Sequence, residues 1–380
     1  DVLTNAQLLA FSLDDVELFV GVGARFEDDP AVTQQIDRGG AIGFYVGDAD
    51  LTLVTLKASA AGIVGPPPDL RKWTGISASI GIAELVGLED VLTFSASDVS
   101  ILYNAASGAK GPTLATRLDW TGTIAGLPVI LDLDATVELI VSGNVNLSIA
   151  DFVIGSASFA LAKTEVDVDL TGDDQADLAD ASLLTIALDD LNLFAGAGDV
   201  GVSITGGRIG VAILTPTPPA IPTTPADTRK WIAVSADIGT ASLEGIPDVT
   251  ATLKNLSLDV NLASGDTTGT PTTNDDATPL DWTTAFDTNN DLVFGDAIDP
   301  GAKLPTPVDL TITLAGPLLR VSGDIDSLDI LGVVTIEGSF ELTTRKVDVD
   351  VNHNGVFSKT EGDLDDANLL TLSLTITDFF

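Results

Sequence analysis

The chain contains no cysteine and no methionine, and among its 380 residues there is one histidine, His353. Without thiols it has neither a disulfide framework nor thiolate chemistry. A single imidazole without cysteine excludes the usual zinc sites and the Cys–His and Ser–His–Asp constellations. Positive charge is scarce: 17 Lys and Arg stand against 56 Asp and Glu, a formal net charge of −39. That balance argues against nucleic acid and anionic membrane surfaces, which need basic patches, and leaves cations or a cationic partner as counter-charge. Long apolar runs are missing: Val129 to Val141 is interrupted by Asp132, Asp134 and Glu138, and no stretch reads as a membrane helix. Helical stripes with caps are missing as well; Glu84 to Leu92 has room for a turn or two of helix and no more. No charged-then-apolar leader precedes the first strand pattern.

The chain is nevertheless hydrophobic, at 45% apolar residues and a mean hydropathy of +0.34. It is therefore not an acidic disordered chain, and it is long enough for two or three cores of ordinary size. Internal repetition organises it. The blocks beginning Leu8-Leu9, Leu183-Leu184 and Leu369-Leu370 read LLAFSLDD, LLTIALDD and LLTLSLTI. Arg71-Lys72-Trp73 recurs as Arg229-Lys230-Trp231, Ala106-Ser107-Gly108 as Ala263-Ser264-Gly265, and Leu118-Asp119-Trp120-Thr121 as Leu280-Asp281-Trp282-Thr283. Length differences fall in acidic or Gly- and Pro-containing segments, as loops on a fixed scaffold tolerate. The expected division is a first unit at 1–181, a second at 182–367, and the first strand of a third at 368–380. A repeat tail at one end and a repeat head at the other are expected of an excerpt from a longer array.

Within the blocks, apolar residues alternate with polar ones. Leu256, Leu258, Val260 and Leu262 form one such series, and Leu370, Leu372, Leu374 and Ile376 another. A period of two denotes strands buried on one face. The expected fold is all-β: an elongated tandem array of mainly antiparallel strands, either a sandwich or a long meander curling on itself, with no substantial helix. Trp73, Trp120, Trp231 and Trp282 occupy equivalent repeat positions, which points to packing rather than sugar binding. The glycines at Gly21, Gly23 and Gly39 to Gly43 do not stand between a strand and a helix. They are expected at bulges or close sheet contacts, not around phosphate.

Three acidic turns carry candidate chemistry. Asp350-Val-Asn352-His-Asn354-Gly355-Val356-Phe-Ser358-Lys-Thr-Glu361 has oxygen ligands at the spacing of a calcium loop, with Gly at the sixth position. Asp350, Asn352, Asn354, the Val356 carbonyl, Ser358 and Glu361 are its expected ligands. Asp169, Thr171, Asp173 and Asp177 form a compressed copy in the first unit. Asp287, Asn289, Asp291 and Asp296 form a third, which lacks the glycine and reads rather as an acidic loop. No carboxylate pair is singled out for glycosidase chemistry, and no enzymatic activity is expected.

The long acidic cysteine-free β repeats, the Asp-x-Asn-x-Asn-Gly turn and blocks such as Val-Ser-Gly resemble the repeats of giant secreted bacterial surface proteins, grouped with hemolysin-type calcium-binding adhesins. That resemblance implies an extracellular, cell-surface stalk, fibre or adhesin segment, stiffened by calcium at acidic turns. Its partners would be neighbouring repeats, with lateral or end-to-end self-association. The glycine-aspartate nonapeptides of the calcium β-roll are absent. A second similarity, through Leu319-Arg-Val-Ser-Gly-Asp-Ile-Asp-Ser-Leu328, is to periplasmic lipid-conducting β-groove proteins. It implies a hydrophobic trough in place of a closed core. An open row of apolar side chains, as against a filled core, separates the two readings.

Overall fold

Alternating strands of this kind build, in a computed structural model of the chain, two compact units: Asp1–Glu165 with Lys303–Pro307, and Val166–Ala302 with Val308–Phe380. The residues described are 3, 6–27, 36–58, 68–89, 91–121, 131, 133–150, 152–217, 226–267, 277–358 and 362–379. The first unit holds β1 (Gln7–Val22), β2 (Arg25–Phe26), β3 (Ile36–Asp37), β4 (Ile42–Lys57), β5 (Lys72–Val86), β6 (Leu92–Ser107), β7 (Ala109–Lys110), β8 (Thr113–Leu114), β9 (Val137–Ile149) and β10 (Val153–Val168), whose last residues enter the second unit. The second holds β11 (Leu178–Ala197), β12 (Val200–Thr215), β13 (Lys230–Glu244), β14 (Val249–Ser264), β15 (Phe286–Asp287), β16 (Leu318–Ile330), β17 (Val334–Val349) and β18 (Leu364–Phe379).

The fold is all-β. In the first unit the long strands lie in the order β1-β4-β5-β6-β9-β10, and in the second β11-β12-β13-β14-β16-β17-β18. Long-strand neighbours are antiparallel. Within each unit the long strands therefore follow chain order as a meander, with β2–β3 and β7–β8 as small side hairpins. One 3-10 turn, Pro300–Lys303, is the sole helical segment among the described residues, and no helix there is long and apolar enough to cross a membrane. Of the room that Glu84 to Leu92 has for a turn or two of helix, the described residues use one hydrogen-bonded turn, in which the Val91 and Leu92 N–H groups donate to the Leu88 carbonyl. Glu84 to Val86 complete β5, and Gly87 then turns the chain at φ 82°. A Cβ on Gly87 would stand 2.1 Å from the Ala41 carbonyl oxygen, so no other residue fits there.

The Leu369-Leu370 block, β18, pairs along its length with β17, from Val349↔Leu364 to Ile336↔Phe379. Most of the proline-rich stretches at Gly65–Pro68 and Pro216–Pro225 lie outside the described residues.

Strict alternation would move the apolar residues from one face to the other along these long strands wherever the spacing slips, and here it slips once. In β1, Leu13 and Leu18 are five residues apart, yet their cross-strand partners run Leu51 and Val46, then Ala78 and Ala83, then Ile101 and Ala96. On β9 the partners are Val141 and Val145, four apart and regularly pleated. Opposed residues share a face, so four consecutive strands each carry one extra residue that restores the side. The second unit repeats the device through Leu188 and Leu193, Ile209 and Ile204, Ala236 and Ala241, and Leu258 and Leu253, against Val321 and Ile325. Left-handed backbone marks the bulges: Asp15, Asp48 and Asp98 in one unit, Asp190, Gly206 and Asn255 in the other. Asp, Asn and Gly tolerate that conformation best.

The closed cores lie on the other face, at one end of the strands. In the first unit Val54, Leu56, Trp73, Ile140 and Ala162 pack against Trp120, Leu131 and Leu133 from the chain between β8 and β9. In the second, Leu183, Leu214 and Trp231 pack against Trp282, Phe286, Ile298, Ile312 and Leu314 from the chain between β14 and β16. A fully buried asparagine holds each covering segment in place. Asn104 accepts the Trp120 indole N–H at 2.9 Å and donates to the carbonyls of Leu118 and Asp134. Asn261 accepts from Trp282 at 3.0 Å and donates to Leu280 and Gly316. Trp73 and Trp231 donate to the Thr116 and Thr278 carbonyls, each at 2.8 Å. The packing role expected for the tryptophans is what the structure has.

Substituting either asparagine by leucine strands one indole N–H and two carbonyls in the core. At about 1–3 kcal/mol per buried unsatisfied group, Asn104→Leu and Asn261→Leu are each expected to cost about 3 kcal/mol or more in thermal unfolding. Trp120→Phe and Trp282→Phe should cost less, because the asparagine still donates to its two carbonyls. A neutral Asn104→Leu would overturn this account.

Candidate functional site

The three acidic turns have a common backbone. The first aspartate of each accepts the N–H five residues on: Asp169 from Asp174 at 2.8 Å, Asp287 from Leu292 at 2.8 Å, and Asp350 from Gly355 at 2.7 Å. The fourth and sixth residues are left-handed in all three: Gly172 and Asp174, Asn290 and Leu292, His353 and Gly355. The glycine that the sequence lacks at Leu292 is thus replaced by a strained leucine at φ 66°, and the loop closes in the same way. A second carboxylate ties the turn back to its start. Asp177 accepts from the N–H groups of Leu170 and Thr171, Asp296 from Thr288, and Asp363 from Val351 and Ser358. Asp363 is buried and was not among the expected ligands. Its place became visible only once the turn was closed.

Of the expected site residues, Asp350, Asn352, Asn354 and Val356 share one turn. Asn352 accepts from the Asn354 N–H and Asn354 from the Val356 N–H, at 3.0 and 2.7 Å. Ser358 donates its N–H to Asp363 at the loop's end. Glu361 lies outside the described residues. In the compressed copy, Asp169 is buried and accepts from Thr171, Gly172 and Asp174, while Asp173 accepts from the Gln175 N–H. Asp287 is likewise filled by the N–H groups of Asn289, Asn290, Asp291 and Leu292. Asp350 differs: its Oδ1 is buried and accepts no hydrogen bond from a described residue. No group of three or more His, Cys, Asp or Glu side chains is placed to hold a metal among the described residues.

The second feature is the sheet face opposite the closed cores. In the second unit Leu188, Ile209, Ala236, Leu258, Val321, Leu342 and Leu372 stand in one row across seven strands. In the first, Phe11, Leu53, Ile76, Tyr103 and Leu139 cross five. The small cluster on this face, around Ala83, Ala96 and Val99, is made only of side chains from the face itself. Phe44 and Phe94 lean over the intervening β5 until their rings are 6.5 Å apart. No described segment covers the rows, and Phe11 and Leu372 are 47% and 70% exposed. The residues between them in sequence, such as Thr252, Ser339 and Glu341, point to the opposite side. Between the strand ends that face is therefore largely apolar in each unit, which is not how a solvated surface is built.

Comparison with protein-family models, curated protein sequences and solved structures returns no match.

The acidic turns respond to pH in a defined direction. Burial pushes the Asp169 carboxyl up, but the N–H groups of Gly172, Asp174, Thr171 and Asp173 outweigh it and hold the group below its ordinary value. A carboxylate depressed in the folded state stabilises it above the unfolded pKa, about 3.9, and loses that contribution as pH falls through the folded value. Amide exchange at Gly172 and Asp174, corrected for intrinsic rates, is expected to stay protected at neutral pH and to begin losing protection only as pH falls below about 4, the loss completing at the lower folded value. Equal protection in Asp169→Asn would show that the carboxylate does not hold the turn.

Proposed function

We propose that each unit is a binding module for hydrophobic molecules, and that the uncovered sheet face is its binding surface. The observation that carries this reading is the set of cross-strand apolar rows, kept on one side by the bulges and covered by no described segment. Strands of 16 residues extend about 50 Å at roughly 3.3 Å per residue, enough to lay an extended hydrocarbon chain along the pleat. Burying apolar ligand surface there gains about 25 cal/mol per Å² before the cost of association. The test is titration of the folded chain with the neutral dye N-phenyl-1-naphthylamine. Saturable fluorescence enhancement is expected, reduced at least several-fold by Phe11→Glu together with Leu372→Glu, with the melting of the variant followed alongside to show that it is folded. Absence of saturable binding to the native chain overturns the reading.

A second reading is a structural segment of a bacterial surface protein, stiffened by calcium at its acidic turns. One observation favours it, the buried Oδ1 of Asp350, which accepts no hydrogen bond from a described residue. An unsatisfied carboxylate oxygen is costly, and a hard cation with oxygen ligands removes that cost. Asp350, Asn352 and Asn354 with the Val356 carbonyl would hold the ion, with Ser358 completing the shell. Asp169 and Asp287, already filled by backbone donors, offer no such vacancy. At free calcium about a hundredfold above its dissociation constant the folded chain gains about 2.7 kcal/mol. Melting in calcium and in chelator is expected to differ for the native chain and to coincide for Asp350→Asn. Identical native melts would sink this reading and leave the first untouched.

A further inference from the structure

We infer that the open face takes anionic amphiphiles, with the charged head group at the end of the strands where the closed cores lie. The inference rests on the hydrophobe-binding reading and adds the class of ligand. Lys57 follows Leu56, and Lys72 and Lys230 precede Trp73 and Trp231; those three neighbours belong to the closed cores. Successive strand residues point to opposite faces, so all three lysines stand on the open face. In a chain with 17 basic residues against 56 acidic ones, this is a selective placement.

Lys57 and Lys72 are directly opposite one another on β4 and β5. Like charges so opposed destabilise a sheet unless an anion lies between them. No carboxylate among the described residues pairs with Lys57, Lys72 or Lys230, although Lys163, also at this end, is paired with Glu138 at 2.9 Å. Next along the face comes the Thr55↔Thr74 pair, and then Leu53↔Ile76. The surface thus passes from ammonium through hydroxyl to hydrocarbon, the polarity profile of an anionic head group and its chain. In the second unit Lys230 stands opposite Ser264, one pleat from Ile232 and Leu262. A second copy of the chain fits the face poorly, because its lysines would meet lysines. Carboxylate and phosphate head groups share the recognising chemistry.

The test is displacement of bound N-phenyl-1-naphthylamine from the full chain, below micelle concentrations, by dodecanoate, monododecyl phosphate, dodecanol and dodecyltrimethylammonium. At least one of the two anions is expected to displace the dye about tenfold more strongly than the alcohol, with the ammonium compound weakest. The anion that does so identifies the head group as carboxylate or phosphate. The triple variant Lys57→Gln, Lys72→Gln, Lys230→Gln should bind the dye as before and lose the preference. High salt should weaken it in the native chain. Equal displacement by alcohol and anions, or a preference unchanged in the triple variant, overturns the head-group inference while the dye signal still supports hydrophobe binding. If the dye itself fails to bind, it is the underlying reading that has failed.

Discussion

The hydrogen bond from a buried indole to a buried asparagine decides which face of each sheet is closed. Asn104 and Asn261 each join three elements: the strand that bears them, the covering segment with its tryptophan, and the chain re-entering the sheet. An amide in that position satisfies one donor and two acceptors that the core would otherwise strand. Hydrophobic burial alone would let the covering segment slide, because apolar contact has no direction. The asparagine supplies the direction, and it does so twice with the same geometry. Once one face is closed at that end, the other is left as the surface where the remaining apolar side chains must gather.

Gathering them on that side requires the bulges. A sheet made of long strands with a strict period of two would present its apolar residues on one side only if the pattern never slipped. In this chain it slips by one residue near the middle of four consecutive strands in each unit, and a left-handed Asp, Asn or Gly absorbs the slip on three of the four. The result is a two-sided sheet: Ser, Thr, Asn and carboxylates on one side beyond the core, and Leu, Ile, Val and Phe on the other. The acidic excess and the high hydropathy, which look contradictory as composition, are thereby separated in space.

The acidic turns show how local backbone can be repeated without repeated side chains. Gly355, Asp174 and Leu292 occupy the same left-handed position, although only glycine adopts it without strain. What distinguishes the turns is the use of their first carboxylate. Asp169 and Asp287 spend both oxygens on backbone N–H groups, whereas one buried oxygen of Asp350 accepts no hydrogen bond from a described residue. Similar loops can thus be structural in two places and a candidate cation site in a third.

The sequence by itself determined the all-β class, the repeat that places Trp73 with Trp231 and Trp120 with Trp282, and the alternation of the strands, because periodicity and block identity are local properties of the chain. It also marked the Asp350 turn, since ligand spacing within one loop needs no tertiary partner. It did not reveal Asn104 or Asn261, although each stands four residues before the matching glycines Gly108 and Gly265. A polar residue in a strand reads as solvent-facing until the tryptophan that buries it is folded over it. Nor did it reveal that Leu13 and Leu18 share a face, because five-residue spacing contradicts a period of two and only the cross-strand partners resolve it. Asp363 was missed for a related reason: a carboxylate beyond the expected loop joins it only when the turn closes. The tertiary structure alone decided that the apolar alternation builds a face that no described segment covers as well as a closed core, since which side a covering segment lands on depends on contacts between residues far apart in the chain.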